Sequence, residues 1–473
     1  MDALLGSEVR RNMFLPDRRR WITFLIGAML VLVACEAETA TPTPRPTWTP
    51  RAQSTSIPTL AADNPALPAA GTVVPPLGST LGTPLPLGQA NPQPLIPGAP
   101  QTVPATLAPG APRAAAPIPP IEAAQPFLPK FGPFPPVPIP GRPANINPLT
   151  GLAADPAMLQ RRPLVARIGN EQTVRTNKWH AGLSQADLVF EELIDILNNA
   201  YANTRFSAVY LGQDPPLLGP IRSGRIINFQ MVPMLNAALV FSGGSNGTRW
   251  LFEQSPMINL DEFFNQPAYC YDKNRGYQGR LLTSAQRIRE YLRQKNWESS
   301  VPLYGFTFSD RAPGGQAITS IALTKAPWPP SAQVAWRYDS ASGKYLRYSP
   351  LANPHIDAMH PITSKWGNGS DCVTTGKDVE AQISAANVVV LYARHERTNI
   401  IEDANNAVSV YIPLTGQGDA HFFRDGVMVQ GKWSRKTEQE FWQFTDSAGN
   451  ALALKPGNTW FEIVPIGYQL DLK

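Results

Sequence analysis

Two apolar segments, DLVFEEL at residues 187–193 and RFSAVYL at residues 205–211, decide the fold expected for this 473-residue chain. Both are short runs rich in β-branched, aromatic and leucine side chains, which is typical of a buried strand. A third run, LVARI, precedes them at 164–168, and residues 237–241 form a further one. We therefore predict a strand at each of these positions.

Helices are expected between and after these strands. Residues 223–235 have the composition of a helix whose N-terminus follows the segment GPIR at 219–222. Thr283 or Ser284 can cap another helix that continues to about residue 295. Strands that alternate with helices favour a layered α/β domain, which we place at residues 145–310.

The sequence changes character after residue 306. Short segments of alternating polarity are separated by turn residues, and the pair Asp425-Gly426 stands between two apolar runs as a β-hairpin signal. We predict a mostly antiparallel β domain at residues 311–473. The folded part is therefore expected to be α+β, with an α/β layered N-terminal domain followed by a β-rich C-terminal domain.

The first 34 residues have the composition of an export signal. Arginines up to Arg20 precede the uncharged stretch 21–34, which is shorter than the ~20 residues of a membrane-spanning helix but suits a signal sequence. The tetrapeptide LVAC at 32–35 resembles the lipobox cleaved by signal peptidase II. We predict that Cys35 is acylated and anchors the mature chain to the outer surface of the cell membrane; an uncleaved anchor followed by an ordinary cysteine is the alternative. Arg18-Arg19 leaves Sec and twin-arginine export both open.

Residues 35–144 are dominated by proline, alanine, threonine and glycine. Proline removes backbone donors and fixes φ, so this segment is expected to be a disordered tether of polyproline character. The formal net charge of the chain is +5, but its lysines and arginines are scattered rather than clustered. A nucleic-acid partner is therefore not expected.

Two cysteines remain after Cys35. Cys270 and Cys372 lack the spacing of a zinc site, and in an exported chain they could form a disulfide if their Cα atoms lie within ~7 Å. His355, Asp357 and His360 could hold a metal ion, although such a site needs a further ligand. A hydrogen bond between His355 and Asp357 is the alternative, and no cofactor is predicted.

Several motifs recur in a characteristic order. They are NPLTGL at 147–152, GLSQADLVFEEL at 182–193, TRF at 204–206, GPIRSGR at 219–225, GGS at 243–245, WRYDSASGKYLRY at 336–348, NVVV at 387–390, GQGDAHFFRDGVMVQGKW at 416–433 and LKPGNTWFEIVP at 454–465. Together they resemble the YerB-like family of bacterial lipoproteins, whose folded portion pairs an N-terminal and a C-terminal domain of unknown function. The resemblance covers about residues 145–470 and implies the lipid anchor, but it implies no reaction.

The chain also departs from the family pattern. That pattern has an acidic residue at the position of Gly169, before Asn170, and a histidine near Phe241 or Ser242. Both departures argue against an acid or base role at these positions.

An anion site is expected near residue 222. Arg222 and Arg225 are three residues apart at the predicted helix start, where guanidinium groups and free backbone N–H groups could hold a carboxylate or phosphate. Asn170 and Arg205 would join them if the strands align at one sheet edge. The alternative is that these arginines are structural and pair with Glu191 or the glutamate beside it.

No complete catalytic constellation is present in the sequence. We therefore prefer a binding or scaffolding module at the cell envelope that acts on a wall polymer or an envelope protein and is not an enzyme. The alternative is a wall-directed hydrolase or transferase that uses Glu191, Asn170, Arg222 and Arg225 in a cleft.

Overall fold

The computed structural model describes residues 142–301, 303–360, 362–365, 371–373 and 379–473. The predicted signal, Cys35 with its predicted acylation, and the predicted tether up to residue 141 lie outside the described residues. None of the helices in the described ranges has the length and apolar character needed to cross a membrane.

The α-helices of the described residues are short. They are α1 Pro156–Leu159, α2 Gln172–Thr176, α3 Asn228–Leu235, α4 Asn246–Gln254 and α5 Ala285–Gln294. The strands are β1 Leu164–Gly169, β2 Leu188–Leu197, β3 Ala200–Tyr210, β4 Ala238–Phe241, β5 Ile258–Asp261, β6 Cys270–Tyr271, β7 Leu281–Leu282, β8 Gln316–Ala317, β9 Ser320–Leu323, β10 Val334–Asp339, β11 Lys344–Tyr348, β12 Ile356–Met359, β13 Thr363–Lys365, β14 Asp371–Val373, β15 Val379–Gln382, β16 Ser384–Ala385, β17 Asn387–Ala393, β18 Glu396–Ile401, β19 Val408–Tyr411, β20 Gly416–Arg424, β21 Val427–Arg435, β22 Gln443–Asp446, β23 Thr459–Pro465 and β24 Asp471–Leu472.

A 13-stranded sheet forms the centre of the fold. Its main path has the order β22-β21-β20-β17-β23-β2-β3-β1-β4-β5. β23 pairs in parallel with both β17 and β2, so strands from both halves of the sequence belong to one continuous sheet. The predicted α+β class is confirmed, and the predicted boundary near residue 310 does not interrupt this sheet.

The hairpin of β2 and β3 contains the two segments that decide the fold. Both strands extend beyond the predicted segments and meet at Asn198 and Asn199, whose φ angles are 49° and 63°. Asparagine adopts positive φ more readily than most residues, which suits a tight hairpin turn. In the register of this hairpin Glu192 lies opposite Arg205.

The helix predicted from residue 223 begins later than expected. Arg222 N–H donates to the carbonyl of Arg167 at 2.8 Å, and Gly224 N–H donates to the carbonyl of Gly243 at 3.0 Å. These residues use their backbone donors to join neighbouring strands, so helical hydrogen bonding starts only at the first residue of α3. The other predicted helix is confirmed as α5, with Ser284 as its N-cap.

Apolar side chains pack on both faces of the central sheet. Side chains alternate along a strand, so Phe190 and Phe461 lie in the core on one face, while Val189 and Trp460 lie in the core on the other. Helices α3 and α4 pack on the Phe190 face, and α5 packs on the Trp460 face together with the sheet β16-β11-β10-β9-β24. The adjacent glutamates of β2, Glu191 and Glu192, therefore point to opposite faces of the sheet, Glu191 toward the Trp460 face and Glu192 toward the Phe190 face.

Candidate functional site

A cavity of about 430 Å³ lies against the β2–β3 hairpin. Its walls include the segments 222–225, 242–244 and 402–404, and a pocket of this volume can hold a small molecule or the end of a larger one. Its charged lining residues are Glu171, Asp195, Arg205, Arg222, Arg225, Glu402 and Asp403. We call this cavity the arginine pocket.

Arg205 is the least compensated cation of the arginine pocket. It is 6% exposed, and its Nη1 donates to the carbonyl of Ser223 at 3.0 Å. The carboxylate of Glu171 approaches only to 4.0 Å, and Nε has no hydrogen-bond partner among the described residues. Burial lowers the pKa of Arg205 well below its usual value, the nearby Arg225 lowers it further, and Glu171 opposes the shift. A buried cation in this state gains by accepting an anionic partner.

Arg222 is held at the mouth of the same pocket. Its Nε donates to Glu171 Oε1 at 2.8 Å, and its guanidinium lies 5.2 Å from the centroid of the Tyr277 ring. Although burial raises the pKa of Glu171, Arg222 and Arg205 outweigh that effect, and the resulting pKa lies below the usual value. Glu171 therefore carries a negative charge between these two arginines.

Arg225 lies on the acidic side of the pocket. Its Nη1 is 3.5 Å from Glu402 Oε2, and its Nη2 is 3.9 Å from Asp195 Oδ2. Asp195 is 6% exposed, and its Oδ1 accepts no hydrogen bond from the described residues. Burial raises the pKa of Asp195, although Arg225 and Arg205 oppose the shift. The pocket thus contains an unpartnered acceptor as well as unpartnered donors.

The backbone amides expected at a helix start do not contribute to this site. The N–H group of Arg222 bonds to the carbonyl of Arg167 on β1, that of Gly224 bonds to the carbonyl of Gly243 just after β4, and that of Arg225 donates to Asn228 Oδ1 at 2.9 Å. The prediction that Arg222 and Arg225 act with free helical amides is therefore wrong. What the structure brings together is the three guanidinium groups of Arg205, Arg222 and Arg225.

The glycine at position 169 makes room for the carboxylate of Glu171. A Cβ atom built on Gly169 would overlap Glu171 Oε2 and would lie 2.8 Å from Arg222 Cγ. The side chain of Glu171 therefore fills the space into which a side chain at position 169 would project.

Asn170 and Glu191 lie behind the wall of the arginine pocket rather than in its lining. Glu191 is fully buried and accepts hydrogen bonds from Asn170 Nδ2 at 3.0 Å, Thr204 Oγ1 at 2.7 Å and Arg347 Nη2 at 2.5 Å. Thr204 also lines the pocket, so a single side chain separates the two groups of residues.

Arg347 is the centre of this second group, a buried ionic network. Its Nη1 contacts Glu462 Oε1 at 3.0 Å, and its Nε donates to His355 Nδ1 at 2.9 Å. The guanidinium also lies 4.5 Å from the centroid of the Trp460 ring. Burial and the nearby Glu191 raise the pKa of Glu462, and Arg347 opposes the shift. Through its contacts with Glu191 and Glu462, Arg347 connects β2 and β23 of the central sheet to the sheet β16-β11-β10-β9-β24.

Two histidines extend the network toward the end of β1. His355 Nε2 lies 2.8 Å from His180 Nδ1, and His180 Nε2 lies 2.6 Å from the carbonyl oxygen of Gly169. Because Arg347 can only donate, this sequence of contacts requires both histidines to be neutral with the proton on Nε2. Burial lowers the pKa of His180 to about 4 and lowers that of His355 well below its usual value. The lowered pKa values and the hydrogen-bond geometry both indicate that the two histidines are neutral.

A separate buried pair lies on the other face of β2. Arg167 Nη1 contacts Glu192 Oε1, and it donates to Ser207 Oγ at 2.5 Å. Burial raises the pKa of Glu192 to about 7, although Arg167 opposes the shift. Glu191 and Glu192 thus face opposite sides, as the alternation of a strand requires.

Sequence reasoning missed Arg347, His180, Glu462 and Arg167 as members of these clusters. The signal available in the sequence was a charged residue inside an otherwise apolar strand, as in LVARI at 164–168 and WFEIV at 460–464. Buried charges need partners, so such positions indicate an internal ion pair.

The residues predicted as a metal site have other partners. Both ring nitrogens of His355 are used by Arg347 and His180, and Asp357 Oδ2 accepts the N–H of Ser184 at 2.7 Å. His360 lies 3.7 Å from Glu380. Within the described ranges no group of three or more His, Cys, Asp or Glu side chains is arranged to hold a metal ion.

Cys270 on β6 is disulfide-bonded. Cys372 lies on β14, opposite Ser364 of β13, and the side chains of both of these residues are outside what the structure describes. The pairing of Cys270 with Cys372 therefore stays a prediction.

Family models match most of the folded part of the chain. The N-terminal domain of a protein of unknown function (DUF3048) matches residues 149–298, and the C-terminal domain of the same family matches residues 324–461. Most of the arginine pocket and all of β2 belong to the first match, whereas the pocket wall at residues 402–404 and Arg347 belong to the second.

The chain is also similar to individual proteins from Bacillus subtilis. It is 24% identical to "Putative lipoprotein YerB" of strain 168 over 327 residues, which are 67% of this chain and 86% of that protein. The crystal structure of the YerB protein from Bacillus subtilis aligns with a TM-score of 0.52 at 22% identity, covering 69% of this chain and 98% of the other, and this likeness shows the fold. With both domains present in order, the chain belongs to the YerB-like family of DUF3048 domain proteins.

Proposed function

We propose that this protein is a lipoprotein, anchored outside the cell membrane through acylated Cys35, whose arginine pocket binds an anionic group of a ligand at the cell envelope. The ligand's source in this proposal is a wall polymer or an envelope protein. The location is supported by the lipobox-like LVAC at 32–35 and by the relative named as a lipoprotein.

The binding role rests on one observation, the uncompensated charge of Arg205. Two other buried arginines of the β2 region have a close carboxylate, as Arg167 has Glu192 and Arg347 has Glu191. Arg205 has no carboxylate closer than 4.0 Å and an unpartnered Nε, and it lines a cavity. Burying such a cation costs stability, and a site that must bind an anion gives a reason to retain it.

A second cavity supports the choice of the arginine pocket by contrast. It has a volume of about 450 Å³ and is lined by residues that include Tyr392, His421, Asp419 and Lys432. Asp419 and Lys432 are 73% and 61% exposed and pair with each other at 3.0 Å. These charges are solvated and already matched, so they add little to the binding of a charged ligand.

The hydrolase or transferase alternative has less support. It requires Glu191 as a base, but this carboxylate is enclosed and already accepts hydrogen bonds from Asn170, Thr204 and Arg347. A general base must reach the proton that it removes, directly or through one water. A binding site needs only residues that line the pocket, as Arg205 and Arg222 do, whereas Glu191 does not line it.

The anchor is tested by mass analysis of the mature N-terminus from the native host. We expect an acylated Cys35 as the first residue. A free, unacylated cysteine or an intact Met1 would refute the anchor.

The pocket is tested with inorganic phosphate and acetate as probes, titrated into the purified full mature chain in detergent at low ionic strength. Loss of a charged hydrogen bond is worth about 1.5–3 kcal/mol, so we expect Arg205→Gln to weaken binding by about tenfold or more. Arg394→Gln is the matched control, because Arg394 is 64% exposed and pairs with Glu396 on the surface. Equal affinities of the Arg205→Gln variant and the unmodified protein would refute the site.

A further inference from the structure

The arginine pocket offers unsatisfied groups of both signs. Arg205 Nε and Arg225 Nε are buried donors without a partner among the described residues, and Asp195 Oδ1 is a buried acceptor without one. Leaving such groups unpaired costs about 1–3 kcal/mol each. A ligand that forms hydrogen bonds only with the arginines would leave Asp195 Oδ1 buried without a donor, and the free-energy cost of that unpaired acceptor would remain.

The two signs are separated along the hairpin. Arg205 lies opposite Glu192 on β2, whereas Asp195 lies opposite Asn203, two residues from Arg205 on β3, so their Cα atoms are offset by about 7 Å in the strand direction. Arg222 lies on the Arg205 side through its contact with Glu171. Glu171 lies between the two arginines of one end, and Arg225 lies beside the carboxylates of Asp195, Glu402 and Asp403 at the other. By count of charges the first end is therefore net cationic and the second net anionic.

The anionic end favours a cation over a neutral donor. Glu402 and Asp403 line the pocket beside Asp195, and Glu402 acts on Asp195 as a like charge. A hydroxyl group could donate to Asp195, but as a neutral group it would gain no charge interaction with the carboxylates of Asp195, Glu402 and Asp403. An ammonium group gains both the hydrogen bond and the charge interaction.

We propose that the ligand of the arginine pocket is an amino-acid-type zwitterion, such as a free dipeptide or a diamino acid, with its carboxylate at Arg205 and its ammonium group at Asp195. This assignment rests on the proposed function, because it places the anionic group at the same arginine. It names the ligand class by requiring a positive group as well.

The test compares the dipeptide alanyl-alanine with its N-acetyl form and its C-terminal amide, using the full mature chain. Acetylation removes the ammonium charge and amidation removes the carboxylate, while the backbone stays the same. We expect each change to weaken binding by about tenfold or more. Alanyl-alanine should also bind more tightly than glucuronate, an acidic sugar that carries hydroxyl donors.

Asp195→Asn and Arg205→Gln assign the two ends of the ligand. The Asp195 side chain makes no hydrogen bond with the described residues, and its ion contact with Arg225 is long at 3.9 Å, so the asparagine variant is expected to fold. It should bind the dipeptide and its N-acetyl form equally, whereas Arg205→Gln should weaken both. Asp419→Asn, at an exposed aspartate 73% accessible to solvent, is the control and should change neither.

The two proposals fail in different ways. If N-acetyl alanyl-alanine or glucuronate binds as tightly as the dipeptide and still depends on Arg205, the zwitterion is wrong and anion binding stands. If phosphate and acetate bind but the dipeptide does not, the zwitterion is again wrong. If neither phosphate, acetate nor the dipeptide depends on Arg205, both proposals are wrong.

Discussion

Arg347 on β11 and Glu191 on β2 form a fully buried ion pair, 2.5 Å between Nη2 and Oε2, that connects positions 156 residues apart. The pair joins the segment matched by the C-terminal domain to the segment matched by the N-terminal domain. It lies directly behind the wall of the arginine pocket through Thr204. The buried ionic network around Arg347 is therefore adjacent to the proposed binding site, and we assign the network a structural role and the pocket a binding role.

Replacing Arg347 with methionine should destabilise the protein strongly. The substitution leaves Glu191 and Glu462 buried without their cation, and breaking a buried pair from one side costs about 3–5 kcal/mol. Urea denaturation of the variant measures the free energy of unfolding. Arg337→Met is the control, because Arg337 is exposed on β10 and should cost less than about 1 kcal/mol. Similar losses in both variants would contradict the role of Arg347.

Acid should weaken the contribution of His180. Its folded-state pKa of about 4 lies below its ordinary value of 6.5, so the unfolded state binds the proton first as pH falls. The stability from neutral His180 is complete above about pH 6.5 and is lost as the pH falls to about 4. The advantage of the unmodified protein over His180→Gln should therefore shrink by about 3 kcal/mol between pH 7 and pH 4. Denaturation of both proteins across this range measures it, and a constant difference would show that His180 does not titrate in this way.

Removing the charge of Arg205 should not destabilise the free protein. Burial of this cation is poorly compensated, and Glu171 keeps its bond to Arg222 when Arg205 is replaced. We expect Arg205→Gln to leave the free energy of unfolding unchanged or to raise it by about 1–2 kcal/mol. Arg167→Gln is the comparison and should lower it, because Glu192 loses its partner. A large loss for Arg205→Gln would mean that the side chain is structural.

Alanine at position 169 should displace the carboxylate of Glu171. The new Cβ would overlap Glu171 Oε2, so the bond from Arg222 to Glu171 must shift or break. We expect a loss of about 1–3 kcal/mol in the free energy of unfolding, as for other overpacked sites. Gly276→Ala is the control, because a Cβ there meets no atom within 4 Å. Equal thermal midpoints for the two variants would contradict this packing argument.

The disulfide partner of Cys270 can be identified directly. Digestion of the purified protein without reduction, followed by mass spectrometry, should yield one cross-linked species that contains Cys270 and Cys372. Reduction should release both peptides, and it should lower the free energy of unfolding by about 2–5 kcal/mol if the bond is like other native disulfides. A free thiol at Cys372 would refute the pairing.

Local patterns in the sequence predict much of the framework. The apolar runs that become β1, β2, β3 and β4 were visible because burial of a short segment requires such composition. The α5 cap at Ser284 was visible for a similar reason, since one side chain satisfies the donor of Arg287. The sequence also predicted that Arg205, Arg222 and Arg225 lie together, because Arg205 begins a predicted strand and the other two lie at the predicted start of a helix.

Tertiary structure alone decided the rest. The sequence cannot show that β23 lies between β2 and β17, because strand pairing depends on long-range register and not on local composition. For the same reason it could not tell that Glu191 would face Arg347 while Arg205 would face a cavity without a close carboxylate. The sequence by itself determined which segments are buried and which charges they carry. The packing of both halves into one sheet decided which of those charges have a close carboxylate, as Arg347 has, and which lack one, as Arg205 does.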